Sequence, residues 1–319
     1  MKLSDALDWY WTAKVDLSPA TRRDYALTFR RLSEFVGADK QIEEITARDL
    51  QGFLTHLRET VTGRRKGPLS KKTLCNAWVA LSSLWEWAHT QIGIEHVVRA
   101  HVACPRYFRP EIEPFSLKDV EALLKACESY EQDNNRAGQR IQVSLPAVLV
   151  ARNRAIIRVL LDTGMRREEL VRLRIEDYNR RTGHIAIRHG KGDKARTVYL
   201  GKRSMACLAA YLVNRKSLDA RLPLFHSEAG ADEDKFILGS SLQKMISRLG
   251  ERAHVDHAFP HRFRHTFAVL FLRGGGSELA LQRLLGHETL DTVRIYARLA
   301  QTDVEDQHRL ASPVDKFRV

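Results

Sequence analysis

The chain has 319 residues, 44% of them hydrophobic and 29% charged, which suits two folded domains with cores of their own and excludes a disordered polymer. Its 52 Lys+Arg stand against 39 Asp+Glu, a net charge of +13; such an excess favours polyanions, because each phosphate neutralised releases condensed counterions. The opening MKLSDALDWYWTAK carries Asp5 and no apolar run, and Arg158 and Asp162 interrupt the longest apolar stretches, so neither a signal peptide nor a bilayer-spanning helix is expected.

The first hundred residues read as all-helical. Ser18-Pro19 is a helix start, with Ser as N-cap and Pro at the first helical position, followed by Tyr25, Leu27, Phe29, Leu32 and Phe35 and a stop at Gly37. Thr46 with Asp49 forms a capping-box-like pair ahead of Leu50, Phe53, Leu54 and Leu57. Ser70 opens a third helix with Leu74, Trp78, Leu81, Leu84 and Trp85 at three- and four-residue steps, a spacing that makes both tryptophans core residues. Between the last two helices lies the basic loop GRRKGPLSKK. Its Arg64, Arg65, Lys66, Lys71 and Lys72, together with Arg22 and Arg23 on the earlier helix, form a candidate DNA-facing surface.

CPRYFRPEIEP, residues 104–114, has three prolines and no periodicity and reads as a linker. Ser116 then caps a helix through Leu117, Val120, Leu123 and Leu124. Residues 128–140 are polar and read as a loop or insertion, and a long helical pattern covers about 149–161. The alternation of Ile185 and Ile187, then Val198 and Leu200, around Gly192-Asp193 predicts a hairpin, expected to be the only sheet. Helices follow. Cys75, Cys104, Cys127 and Cys207 include no C-x-x-C pair and read as the reduced thiols of a cytoplasmic protein, with no disulfide frame and no zinc site.

Four clusters carry chemistry. In TGMRREELVRL, Arg166 stands at a helix start, where the macrodipole offers a cation nothing, so it needs a partner such as Glu169 or a task. In GKGDKAR, Lys191 and Lys194 sit on a glycine-flanked turn; no Walker loop is present. In PHRFRHTFA, His261, Arg264 and His265 share one helical face, and the arginine there favours an anion over a metal. In LLGHETLDTVRIYARLA, His287 follows a helix-ending Gly286 and Tyr296 lies on the next helix.

Arg166, Lys191, His261, Arg264, His287 and Tyr296, in that order and in those motifs, resemble the catalytic set of the tyrosine recombinase (phage integrase, Xer-type) family. The resemblance implies a mainly α chain: a helical core-type DNA-binding domain over 1–104, a linker over 105–114 and, over 115–319, a mostly helical catalytic domain with a small antiparallel sheet. It implies site-specific strand exchange through a 3′-phosphotyrosyl intermediate on Tyr296, without metal, ATP or other cofactor. Arg166 and Arg264 would then stabilise the phosphate charge, Lys191 would act as general acid, His261 and His287 would assist, and Glu169 would orient its neighbours. The partners implied are double-stranded recombination sites and other protomers, as a homotetramer on two paired sites or with a heteromeric partner, and no membrane. The C-terminal segment, with Leu299, Val304 and Leu310, is expected to form a short helix from Thr302 that docks on its own domain or on a neighbouring protomer. The rival readings are a type IB topoisomerase, a catalytically idle DNA-binding protein on the same frame, and a metal-dependent nuclease using His261 and His265, for which clustered carboxylates are missing.

Overall fold

Several helix starts along this chain are set by side chains that satisfy the orphan amides of a first turn. In the computed structural model, which describes residues 1–61, 67–107, 112–134, 139–188, 195–227, 234–286, 289–300, 309, 312 and 314 (backbone alone at 129–134, 139–143, 291 and 292), Ser18 Oγ accepts from the Thr21 amide at 3.1 Å and Ser70 Oγ from the Thr73 amide at 3.1 Å. Thr46 and Asp49 cap each other reciprocally. The chain divides into two compact units, Met1–Pro110 and Glu111–Val319.

The first unit contains α1 (Leu3–Ala13), α2 (Pro19–Val36), α3 (Ala47–Thr60), α4 (Lys71–Ile92) and α5 (Val97–His101). With α4 in the middle, its core gathers Leu3, Tyr10, Phe29, Phe53, Leu84 and Trp85, all essentially inaccessible to solvent. Tyr10 meets the rings of Phe29 and Trp87 edge-on at 5.3 and 5.9 Å and keeps its hydroxyl satisfied on Ser83 at 2.9 Å. Trp85 is buried, and Trp78, half-buried, donates its indole N–H to the Val102 carbonyl at 3.0 Å, so both are packing residues. The all-helical reading of the first hundred residues delimits no helix ahead of Ser18, yet Leu3, Ala6 and Tyr10 recur at the helical period and are the buried face of α1.

In the second unit, α6 (Leu117–Lys125) starts from a full Ser116–Asp119 capping box. There follow β1 (Ser129–Asn134), β2 (Gln139–Ser144), α7 (Ala147–Thr163), α8 (Arg167–Arg172), β3 (His184–Ile187) and β4 (Arg196–Tyr199). Then come α9 (Lys202–Val213), α10 (Gly239–Ala253), α11 (Pro260–Arg273), α12 (Glu278–Leu285) and α13 (Asp291–Ala300). The strands form two antiparallel pairs: β3 with β4 in the register Ile185 to Val198, and β1 with β2 in the register Tyr130 to Val143. The second pair corrects the expectation of a loop over 128–140 and of a single sheet. SYEQDN has no apolar alternation to read, and backbone pairing requires none.

Two cores hold this unit. The larger lies about α7 and α10, with Ile156, Leu160, Leu208, Leu242, Ile246 and Phe263. The smaller joins α11, α12 and α13 through Phe267, Leu272, Leu281, Leu285, Val293 and Tyr296. No helix among the described residues is long and apolar enough to cross a membrane. The expected helix from Thr302 lies outside the described residues but for isolated positions.

Candidate active site

The site is built where two glycine-capped helices end beside α11. α7 stops at Gly164, whose φ is +59°, and a Cβ there would lie 2.3 Å from Phe267 and 2.8 Å from Leu285. Only glycine accepts both the left-handed turn and that approach. The turn presents the Gly164 carbonyl to Arg264 Nη1 at 2.9 Å, while Arg264 Nη2 donates to the Leu285 carbonyl at 2.8 Å, at the end of α12. Arg264 is 2% exposed. Burial first, then the charge of Arg166, pulls its pKa down to about 10, with Tyr296 and Glu169 pulling the other way. That value is still far above neutrality, so the group remains a cation.

Arg166 is the N-cap of α8 and does have a partner. Glu169 accepts the Arg166 amide at 2.7 Å on one oxygen and Arg166 Nη1 at 3.0 Å on the other. This is no solvated surface pair, because Glu169 is buried, 5% exposed. A second arginine explains how a carboxylate is tolerated there. Arg196, at the head of β4, clamps Glu169 with Nη1 at 2.8 Å and Nη2 at 2.7 Å, and its Nε donates to the Leu284 carbonyl at 2.8 Å. Burial alone would raise the Glu169 pKa, but the hydrogen bonds and charge of Arg196, with those of Arg166, outweigh it and hold the carboxyl below its usual range. Arg166, Arg196 and Arg264 together with one carboxylate leave a cationic surplus suited to a phosphate.

Arg196 is the residue that sequence reasoning missed. The signal was present: Arg196, Val198 and Leu200 alternate on one strand, and Val198 and Leu200 are buried, so an arginine occupies an inward position. A charge there needs a buried counter-ion.

α11 begins at Pro260 and turns its next residues to different depths: His261 is exposed, Arg264 buried and His265 half-buried. The His261 and His265 rings meet edge-on with centroids 4.7 Å apart, and His265 meets the Tyr296 ring at 5.2 Å. Tyr296 is 3% exposed, in the core shared by α11, α12 and α13. Among the described residues no three His, Cys, Asp or Glu side chains are grouped to hold a metal ion. Two other tyrosines of this unit stand elsewhere: Tyr199 faces solvent beside His184, and Tyr211 is buried against Phe225.

The structure therefore brings Arg166, Glu169, Arg264 and Tyr296 into one neighbourhood, with His261 joined to it through His265. Lys191 and His287 lie outside the described residues, as do Arg64, Arg65 and Lys66. In the first unit Arg22, Arg23, Lys71 and Lys72 are exposed near the N-termini of α2 and α4, and Arg22 also lies over the Trp11 ring at 5.1 Å.

Comparison with known proteins adds three findings. A family model described as the phage integrase family matches residues 115–303, and one described as the phage integrase N-terminal SAM-like domain matches residues 10–92. The tyrosine recombinase XerC of Pelobacter propionicus is 29% identical over 300 residues, covering 93% of this chain and 91% of that protein. The fold is shared with the Tn1549 transposon integrase in complex with a circular intermediate DNA (TM-score 0.72, 16% identity, all of both chains). It is also shared with the XerH site-specific recombinase in a post-cleavage complex (TM-score 0.66, 22% identity, 92% of this chain and 80% of that one).

Proposed function

The chain belongs to the phage integrase family, and on that premise we propose how its residues cut and rejoin DNA at specific sites as a tyrosine recombinase. The observation that carries the proposal is the convergence of two guanidinium groups, Arg166 and Arg264, on the carbonyl-lined turns at Gly164 and Gly286, next to the helix that bears Tyr296.

Tyr296 Oη attacks the phosphorus. The bond to the 5′ oxygen breaks as the bond to the tyrosyl oxygen forms, leaving a 3′-phosphotyrosyl enzyme and a free 5′ hydroxyl. One phosphodiester replaces another, so the bond energy is stored and ATP is not needed. Charge gathers on the non-bridging oxygens, where Arg166 and Arg264 donate from fixed positions and need no reorganisation as the reaction proceeds. A phenol of pKa about 10 must lose its proton; exposed His261, linked to Tyr296 through His265, is the group for that. Lys191 protonates the leaving oxygen, and His287 assists at the phosphate.

The N-terminal domain read from the sequence, 1–104, binds the duplex through Arg22, Arg23, Lys71 and Lys72, with Arg64, Arg65 and Lys66 between them in sequence, and the 105–114 linker joins it to the catalytic domain. Recombination pairs two sites, so the working assembly is a tetramer on DNA, of one protein or of two partners, exchanging strands sequentially.

A suicide duplex nicked beside the cut site tests the nucleophile. Wild type is expected to give a covalent band on denaturing gels, with or without EDTA, and Tyr296→Phe to bind the duplex without forming it. A band from Tyr296→Phe would move the nucleophile to Tyr199 or Tyr211, and sensitivity to EDTA would point to metal chemistry.

A further inference from the structure

Arg196 ties together parts of the site that are far apart in the chain. Its fork holds both oxygens of Glu169 on α8, its Nε holds the Leu284 carbonyl, and the next carbonyl, that of Leu285, receives Arg264. The division of labour between the two arginines on Glu169 is unequal. Arg196 makes two short parallel bonds and its side chain is 10% exposed, whereas Arg166 makes one bond of 3.0 Å from its guanidinium and is 28% exposed. The second guanidinium bond of Arg166, to the Gly286 carbonyl, is long at 3.4 Å. Gly286 is itself fitted to Arg196: its φ is +63°, and a Cβ there would press on Arg196 Cδ at 3.2 Å.

We propose that Arg196 is a positioning residue for the strand-transfer reaction: by clamping Glu169 it leaves the donors of Arg166 turned towards the reacting phosphate. This rests on the assignment of Arg166 to that phosphate. The reasoning is a competition for one carboxylate. A buried carboxylate needs its oxygens hydrogen-bonded and its charge offset, and a guanidinium prefers to give it a two-bond fork. With Arg196 in place that demand is met from the strand side. Without it, Arg166, three residues from Glu169, is the nearest fork available, and swinging inwards would divert the donors that the transition state needs. Lysine at 196 would restore the charge but not the planar pair of donors.

The test uses the full-length protein and a nicked suicide duplex whose reacting phosphate is either an ordinary phosphodiester or a methylphosphonate, which lacks one charged oxygen. On the phosphodiester, Arg196→Lys is expected to slow covalent-adduct formation by roughly tenfold to a hundredfold, with duplex affinity within a few-fold of wild type. On the methylphosphonate the ratio of wild-type to variant rate should shrink towards one, since the arginines have less charge to neutralise. Partial unfolding lowers both rates alike and leaves the comparison between substrates unmoved. In an Arg166→Ala background, Arg196→Lys should cost nothing further. An equal penalty on both substrates, or additive penalties in the double variant, would overturn the positioning role and leave the recombinase reading intact. No adduct from wild type on any substrate overturns both.

Discussion

Burying a guanidinium costs several kcal/mol unless carbonyls and carboxylates replace its water. Arg264 donates to the helix-end carbonyls of Gly164 and Leu285, which solvate its charge without cancelling it. Its charge stands away from solvent, and under the proposed function it would act there more strongly on a phosphate than in water. Glu169 is the converse case, a buried anion stabilised by Arg196 and Arg166. Its folded pKa lies below the ordinary value of 4.5, so the ionised form favours the fold. That contribution is complete above pH 4.5 and is lost as the pH falls through the depressed folded value. Urea unfolding of wild type and Glu169→Gln between about pH 3 and pH 7 should show it. The stability advantage of wild type is expected to narrow at the acid end, and a constant difference would mean that the carboxylate's charge is not what Glu169 contributes.

At the level of elements, the site owes its shape to helix ends more than to helices. α7 and α12 both finish in left-handed glycines, and the carbonyls exposed there are the ones the arginines take. Gly164→Ala should thus lose about 3 kcal/mol of stability in urea unfolding, from the strained φ and the overlap with Phe267 and Leu285. Cleavage should fall further than the loss of folded protein explains, because the acceptor of Arg264 moves. Cap chemistry was readable in advance at Ser18, Thr46, Ser70 and Ser116, since each cap is a contact within four residues. The β1/β2 pair was only half readable: β2, QRIQVS, alternates Ile141 and Val143 at the strand period, but β1, SYEQDN, is polar and offers no matching alternation.

At the scale of the whole molecule, part of the positive surplus is exposed at helix starts in the first unit. Lys71 and Lys72 occupy the first turn of α4, where the helix dipole disfavours cations by about 0.3–1 kcal/mol each, and Arg22 and Arg23 follow the first turn of α2. Exposed cations held at that cost fit a phosphate backbone. Neutralising Lys71 and Lys72 together is expected to weaken binding on all duplex sequences alike. It should also flatten the slope of log K against log salt by roughly 0.9 for each phosphate no longer neutralised. A slope that stays put would return these lysines to ordinary surface.

The order of motifs TGMRREEL, GKGDKAR, PHRFRHTFA and LLGHETLDTVRIYARLA by itself determined the family and the mainly helical fold and supplied the residues proposed to react, because these depend on residue type and local spacing. Tertiary structure alone decided which charges share a carboxylate. Glu169 and Arg196 are 27 residues apart, and Arg264 meets the carbonyl of Gly164 across 100. Pairings of that span arise from how α7, α8, β4, α11 and α12 pack, and no local period in the chain encodes them. The strand alternation placed Arg196 facing inwards, but what it faces only the fold could supply.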